Sequence, residues 1–161
     1  MVILKTYPNK QNISKMNLSF RKLFLAFSGL FLASACSVSK SESNNVSDAT
    51  SLFGTEWKLE KIGSSKMKYD EERDRITLLM TKEPENVSGF SACNRYFGKF
   101  SIKKNKLIFK EMAATQMACP EQKMNLEDRY LLTLNKVNNY LIENDTLYLR
   151  NDERVLLIFS Y

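Results

Sequence analysis

Cys93 and Cys119 are the side chains of this sequence best suited to covalent chemistry. Each lies in a run that hydrophobic periodicity does not explain. The first is Val87-Ser-Gly-Phe-Ser-Ala-Cys-Asn-Arg-Tyr-Phe-Gly98, and the second is Ala113-Ala-Thr-Gln-Met-Ala-Cys-Pro120. A thiolate is a nucleophile and a soft metal ligand, but a neighbour must lower its pKa first. The 161 residues include no His. That removes Ser-His and Cys-His nucleophile pairs, His general bases, and His-containing zinc or haem sites. Two soft ligands without His make no metal site, and no metal or cofactor is expected. The pair keeps three readings. In an oxidising compartment a structural bridge is expected, closing a loop of about 27 residues and contributing ~3–4 kcal/mol. A redox-active pair lacks the Cys-x-x-Cys spacing and would depend on Arg95 and a nearby helix start. Two unpaired thiols are the third reading, because sequence does not establish closeness.

The other polar residues of these runs have a structural and a functional reading each. Asn94 suits a turn in which its side chain bonds its own backbone. Gly89 and Gly98 permit positive φ or close packing of a strand. Arg95 is expected to pair with a carboxylate across the sheet, or else to contact a ligand. Thr115, Gln116 and Met117 before Pro120 are a loop that could line a polar pocket. Asp70, Glu71, Glu72 and Asp74, interleaved with Lys68, Arg73 and Arg75, read as a solvated loop, since the spacing of a calcium loop is absent. Phe90, Tyr96, Phe97, Phe100 and Met117 are expected in the core, with a hydrophobic ligand site as the alternative.

The elements that must position these residues are mostly strands. Trp57–Ile62, Arg75–Met80, Tyr96–Ile102 and Lys106–Lys110 are β-rich runs, with a basic turn at Lys103-Lys104-Asn105. Tyr140–Ile142, Thr146–Arg150 and Val155–Phe159 follow, joined at Asn144-Asp145 and Asn151-Asp152-Glu153, as antiparallel hairpins would be. From Leu126 to Val137 the apolar spacing changes to that of a helix, with Leu126, Tyr130, Leu131, Leu134 and Val137 on one face. Asn125 and Asp128 suggest a weak cap, and Pro120 suits a first turn just upstream. The fold class is therefore mostly β (α+β), a small antiparallel, barrel-like sheet with one helix packed on it.

The formal charge of +6 invites a nucleic-acid reading until it is located. Lys5, Lys10, Lys15, Arg21 and Lys22 lie in the first 35 residues, which hold no carboxylate. From Cys36 onward nineteen cations face eighteen anions, a net charge of +1. No basic stripe is left, and no nucleic-acid partner is expected. Arg21-Lys22, the apolar run Leu23–Leu32 and the small residues Ala33-Ser34-Ala35 form a secretory signal peptide over 1–35. The run is too short to span a bilayer, which takes roughly 20 residues. Met16 is an alternative start, with residues 1–15 adding only length.

Leu32-Ala33-Ser34-Ala35-Cys36 resembles the lipobox of bacterial lipoproteins, although Ala33 stands where that motif usually has Leu. The resemblance implies a lipid on the Cys36 thiol, and several acyl chains anchor stably where one is marginal. Residues 36–51 are rich in Ser and Asn and read as a flexible tether, spanning roughly 20 Å. No acidic run follows Cys36, which disfavours export to the cell surface; the expected place is the bacterial envelope, lipid-anchored in the outer membrane and facing the periplasm.

Residues 52–161 form one domain. Its two Cys-containing runs, together with Trp57, Met124, Leu126, Glu127 and the closing strands, resemble the META domain of HslJ-like envelope proteins from Phe53 to Phe159. Ala92 replaces the usual Gly before Cys-Asn, and Gln116 stands where Arg is common. The resemblance implies a barrel-like domain linked to envelope stress and heat shock, with no established reaction or cofactor. Gly89, Asn94, Arg95, Gly98, Thr115, Met117 and Pro120 are then residues of interest without a catalytic role. The function expected is a non-enzymatic, monomeric lipoprotein that supports the envelope by binding a partner or ligand. A carrier of a small hydrophobic ligand and a thiol oxidoreductase using Cys93 and Cys119 are the alternatives.

Overall fold

Alternating burial along the longer strands builds the sheet. The computed structural model describes residues 4–7 and 52–161. In chain order the strands are β1 Leu4–Thr6, β2 Glu56–Ile62, β3 Ser65–Lys66, β4 Thr77–Thr81, β5 Asn86–Phe90, β6 Arg95–Lys103 and β7 Lys106–Thr115. Helix α1, Glu121–Leu134, comes next, followed by β8 Asn139–Glu143, β9 Thr146–Asn151 and β10 Arg154–Ser160. Every strand pair is antiparallel. The order β7-β6-β5-β4-β2-β10-β9-β8 returns to β7 through the pair Lys106↔Asn139, giving a barrel-like ring. β3 pairs with β2, and β1 pairs with the far end of β7.

One face of each ring strand fills the interior. Trp57, Leu59, Leu78, Met80, Tyr96, Phe109, Leu149, Leu157 and Phe159 are buried, and α1 adds Tyr130, Leu131 and Leu134. β2 alternates only as far as Leu59. Its register with β10 then shifts between Ile158 and Phe159, and the extra residue brings Ile62 back to the core. The hairpin turns use left-handed residues, Asn144 (φ 45°) and Asp145 (φ 61°), the geometry that favours Asn and Asp.

The fold class agrees with the sequence expectation: mostly antiparallel sheet, with one helix packed on it. Three expectations need correction. The helix begins immediately after Pro120, and Asn125 and Asp128 lie inside it rather than capping it. Val137 is buried beyond its end. β7 continues to Thr115, and β5 runs through the first motif where no periodicity was visible. Leu4–Thr6, expected to add only length, pair with Ala113–Thr115; such pairing is made by backbone groups and leaves no pattern in side chains. Cys36, the rest of residues 1–35 and the tether lie outside the described residues.

Candidate functional site

The two motifs meet at one end of the ring. The first crosses from β5 to β6 through a tight turn, in which Ser91 N–H donates to the Asn94 carbonyl oxygen at 2.8 Å. The second carries the chain from β7 to α1. Cys93 and Cys119 join them as a disulfide with Cα atoms 6.0 Å apart.

A buried polar cluster makes the same connection without covalent chemistry. Asn94 donates from its backbone N–H (2.9 Å) and its side-chain amide (3.1 Å) to the Glu127 carboxylate on α1. Its side-chain oxygen accepts from Met117 N–H at 2.8 Å and from Thr115 Oγ1 at 3.1 Å. Ser91 Oγ sits 2.6 Å from Glu127 Oε2 and 2.7 Å from the Asn94 carbonyl oxygen, so its one proton is shared between two acceptors. Asn94 therefore does not bond its own backbone, as the turn reading had it; it ties three segments together. Each such bond to a charged group contributes about 1.5–3 kcal/mol.

The glycines are there for close approach. A Cβ on Gly89 would stand 2.1 Å from the Thr77 carbonyl oxygen. That oxygen accepts from Tyr96 Oη at 2.8 Å, and Tyr96 Oη lies 2.8 Å from Tyr130 Oη, a buried relay from β4 to α1. Burial pushes both phenols well above the ordinary range. A Cβ on Gly98 would stand 2.5 Å from Met112 Sδ. There β7 carries an extra residue opposite the register shift between Phe97 and Lys99, with Glu111 left-handed at φ 52°. Ala92, in the Gly position of the family pattern, has φ 83°.

Beside this cluster opens a groove of about 860 Å³. Phe90, Arg95, Thr115, Gln116 and Met117 form one wall. Glu56, Lys58, Glu72, Arg73, Arg75 and Thr77 form the other side. Met117 is 58% exposed. Among the described residues no carboxylate pairs with Arg95, against the expectation of a cross-sheet partner. The opposite wall is not simply solvated. Lys58 bonds Glu72 (2.9 Å), Arg75 bonds Glu72 (2.8 Å) and Glu60 (3.1 Å), and Lys123 of α1 bonds Asp74 (2.8 Å).

Of the residues singled out in sequence, Phe90, Arg95, Thr115, Gln116 and Met117 thus reach the groove. Gly89, Gly98, Asn94, Pro120 and the cysteines shape the wall behind it. The aromatic set divides: Tyr96 and Phe100 are core, Phe97 is exposed, and Phe90 lines the groove. Sequence reading missed Ser91, Lys58 and Arg75 at the site and gave Glu127 no role. Glu127 did carry a signal, because it occupies the first position of the buried stripe Glu127-Tyr130-Leu131-Leu134.

No curated protein matches the chain. A solved structure from Burkholderia xenovorans is similar over 84% of this chain and 97% of its own, at 25% identity and a TM-score of 0.57. A second solved NMR structure covers 65% of this chain and 86% of its own, at 23% identity and a TM-score of 0.49. The family model of the META domain matches residues 50–160, which takes in the ring, the helix, both cysteine motifs and the groove between them; the chain belongs to the META domain family.

Proposed function

We propose that this META-domain protein is a non-enzymatic envelope lipoprotein, anchored through Cys36 and facing the periplasm, which binds a ligand or partner in the groove beside its two motifs. The observation that carries the reading is Arg95. It is an exposed guanidinium without a carboxylate partner among the described residues, on a wall shared with Phe90 and Met117. An arginine of this kind suits a carboxylate or phosphate, held in bidentate fashion. Phe90 and Met117 supply apolar contact for a short chain next to that head. A wholly apolar cargo is less well served, because Lys58, Arg73, Arg75 and two glutamates line the same space.

Support for a binding role comes also from what the other polar groups do. Glu127 is the buried carboxylate of the described residues, and its oxygens hold Ser91 and Asn94. Cys93 is 3% exposed within the bridge, which gives an attacking thiolate little access and favours a structural over a redox pair.

Titration with dodecyl phosphate below its micellar concentration tests the groove. Amide shifts are expected at Phe90, Arg95, Gln116 and Met117, with at least tenfold weaker binding in Arg95→Ala and none for dodecyltrimethylammonium. Equal binding of the two detergents, or shifts elsewhere, would contradict the assignment. For the anchor, Cys36→Ala is expected to abolish incorporation of a fatty-acid label.

A further inference from the structure

β7 is ten residues long, yet the ring closes only at its start. Lys106 pairs with Asn139, and Leu107 N–H reaches the Asn138 carbonyl oxygen at 3.1 Å. At the other end the outer edge of β7 is taken by Leu4–Thr6, in the register Leu4↔Thr115, Lys5↔Ala114 and Thr6↔Ala113. The ladder continues with Tyr7 N–H donating to the Met112 carbonyl oxygen at 3.0 Å. Tyr7 is 7% exposed, and its hydroxyl donates to Asp128 Oδ1 on α1 at 3.0 Å. Lys5 forms an ion pair with the same carboxylate and lies 5.4 Å from the Tyr7 ring centre. Four residues thus bring a backbone ladder, a buried aromatic anchor and a cation to one short edge. Those are the components of recognition by strand addition.

We propose that the Ala113–Thr115 edge, with Asp128 beside it, is a docking site for an extended peptide carrying a cation two residues before an aromatic side chain. In the full chain Leu4–Tyr7 fill it. The site becomes open to a partner segment when residues 1–35 are removed, so its availability rests on the lipoprotein reading above. The edge is poorly guarded. Residues 113–115 are Ala, Ala and Thr, without the Lys, Pro or inward charge that protects an open strand, and the lysines of β7 stand at positions 106 and 110. Specificity comes from Asp128, which selects a cation and a hydroxyl together, and from the site that takes the Tyr7 ring.

The probe is a fluorescent peptide of residues 3–8, Ile-Leu-Lys-Thr-Tyr-Pro, measured by anisotropy against three folded proteins. The full chain is expected not to bind it, because its own segment occupies the edge. The full chain with Lys5→Glu and Tyr7→Ala is expected to release that segment and bind the peptide. Adding Asp128→Lys should weaken that binding at least tenfold, and a peptide with Glu in place of its Lys should recover it. Trp57 fluorescence and cooperative urea unfolding check that each variant is folded. Absence of binding to the folded Lys5→Glu, Tyr7→Ala protein overturns the proposal, as does binding indifferent to Asp128→Lys. A dimer of that variant in place of peptide binding gives the edge to a second copy and also overturns it. The mass of the protein from its host membrane tests separately whether the chain begins at Cys36. Failure there would remove the lipoprotein reading and leave the peptide result standing.

Discussion

On one side of the groove Asn94 and Glu127 are 2% and 4% exposed, and they hold each other and two further segments through direct hydrogen bonds. On the other side the side chains of Lys58 and Glu72 are 37% and 65% exposed, and their ion pair stands in water. Both sets are polar and hydrogen-bonded, yet the physics differs. Removing a partner from the buried cluster strands a donor or acceptor where water cannot replace it. Removing a partner from the exposed set lets water take its place, at little cost in stability. One wall is therefore preorganised. The other is an electrostatic latch whose ion pairs can give way without unfolding the protein.

The largest expected effect is on the buried wall. Glu127→Ala leaves the buried Asn94 backbone N–H without its acceptor and takes the carboxylate from Ser91 Oγ and the Asn94 amide, and urea unfolding should show a loss of about 3 kcal/mol. A smaller loss would mean that water fills the site and that the two walls differ less than their burial implies. The double change Cys93→Ser with Cys119→Ser should cost about 3 kcal/mol by the entropy of the opened loop. It should leave the groove intact, because the Asn94 cluster joins the same two segments.

The latch predicts smaller, salt-sensitive effects. Lys123→Ala, which frees Asp74, should cost under about 1 kcal/mol at low ionic strength and nothing measurable in molar salt. Its pH dependence has a definite sign. The hydrogen bond from Lys58, and after it the charge of Arg75, hold the Glu72 carboxyl below its ordinary value of 4.5. A lowered folded pKa means that this contribution is complete above 4.5 and fades as pH falls through the depressed value. The protection of the Glu72–Asp74 turn amides, taken relative to the intrinsic exchange rate at each pH, should fall in that acid range and stay constant from pH 5 to 7.

The smallest effect belongs to Ala92. Its left-handed backbone costs about 1–2 kcal/mol. Glycine would relieve that but give up about 0.8 kcal/mol of buried methyl and about 0.5 kcal/mol through the freer unfolded chain. Ala92→Gly should therefore change stability by no more than about 0.5 kcal/mol in a thermal or urea melt.

The same contrast explains what could be read from the sequence. β8, β9 and β10 were legible because they are short β-rich runs set off by Asn-Asp and Asn-Asp-Glu turns, each a local signal. The motif wall was visible only as an irregularity. Gly89 and Gly98 are set by what approaches them, and Asn94 by partners on β7 and α1, none of which leaves a period. Glu127 could have been found, since a carboxylate in line with Tyr130, Leu131 and Leu134 must meet buried donors. The contact of Lys5 with Asp128 spans 123 positions and has no sequence signature. The groove itself is a property of two chain segments meeting, and Phe90, Arg95, Thr115, Gln116 and Met117 marked one wall of it.

Native-state hydrogen exchange tests the difference between the walls most directly. The Asn94 and Met117 amides, bonded to Glu127 and Asn94 at 2.9 and 2.8 Å, should exchange only through global unfolding, with a denaturant dependence equal to that of the core strands. The Asp74 and Arg75 amides, which close the exposed turn, should exchange through local opening that denaturant barely affects. Exchange of Asn94 and Met117 as fast as that of Asp74 and Arg75 would contradict the claim that the motifs form a preorganised wall.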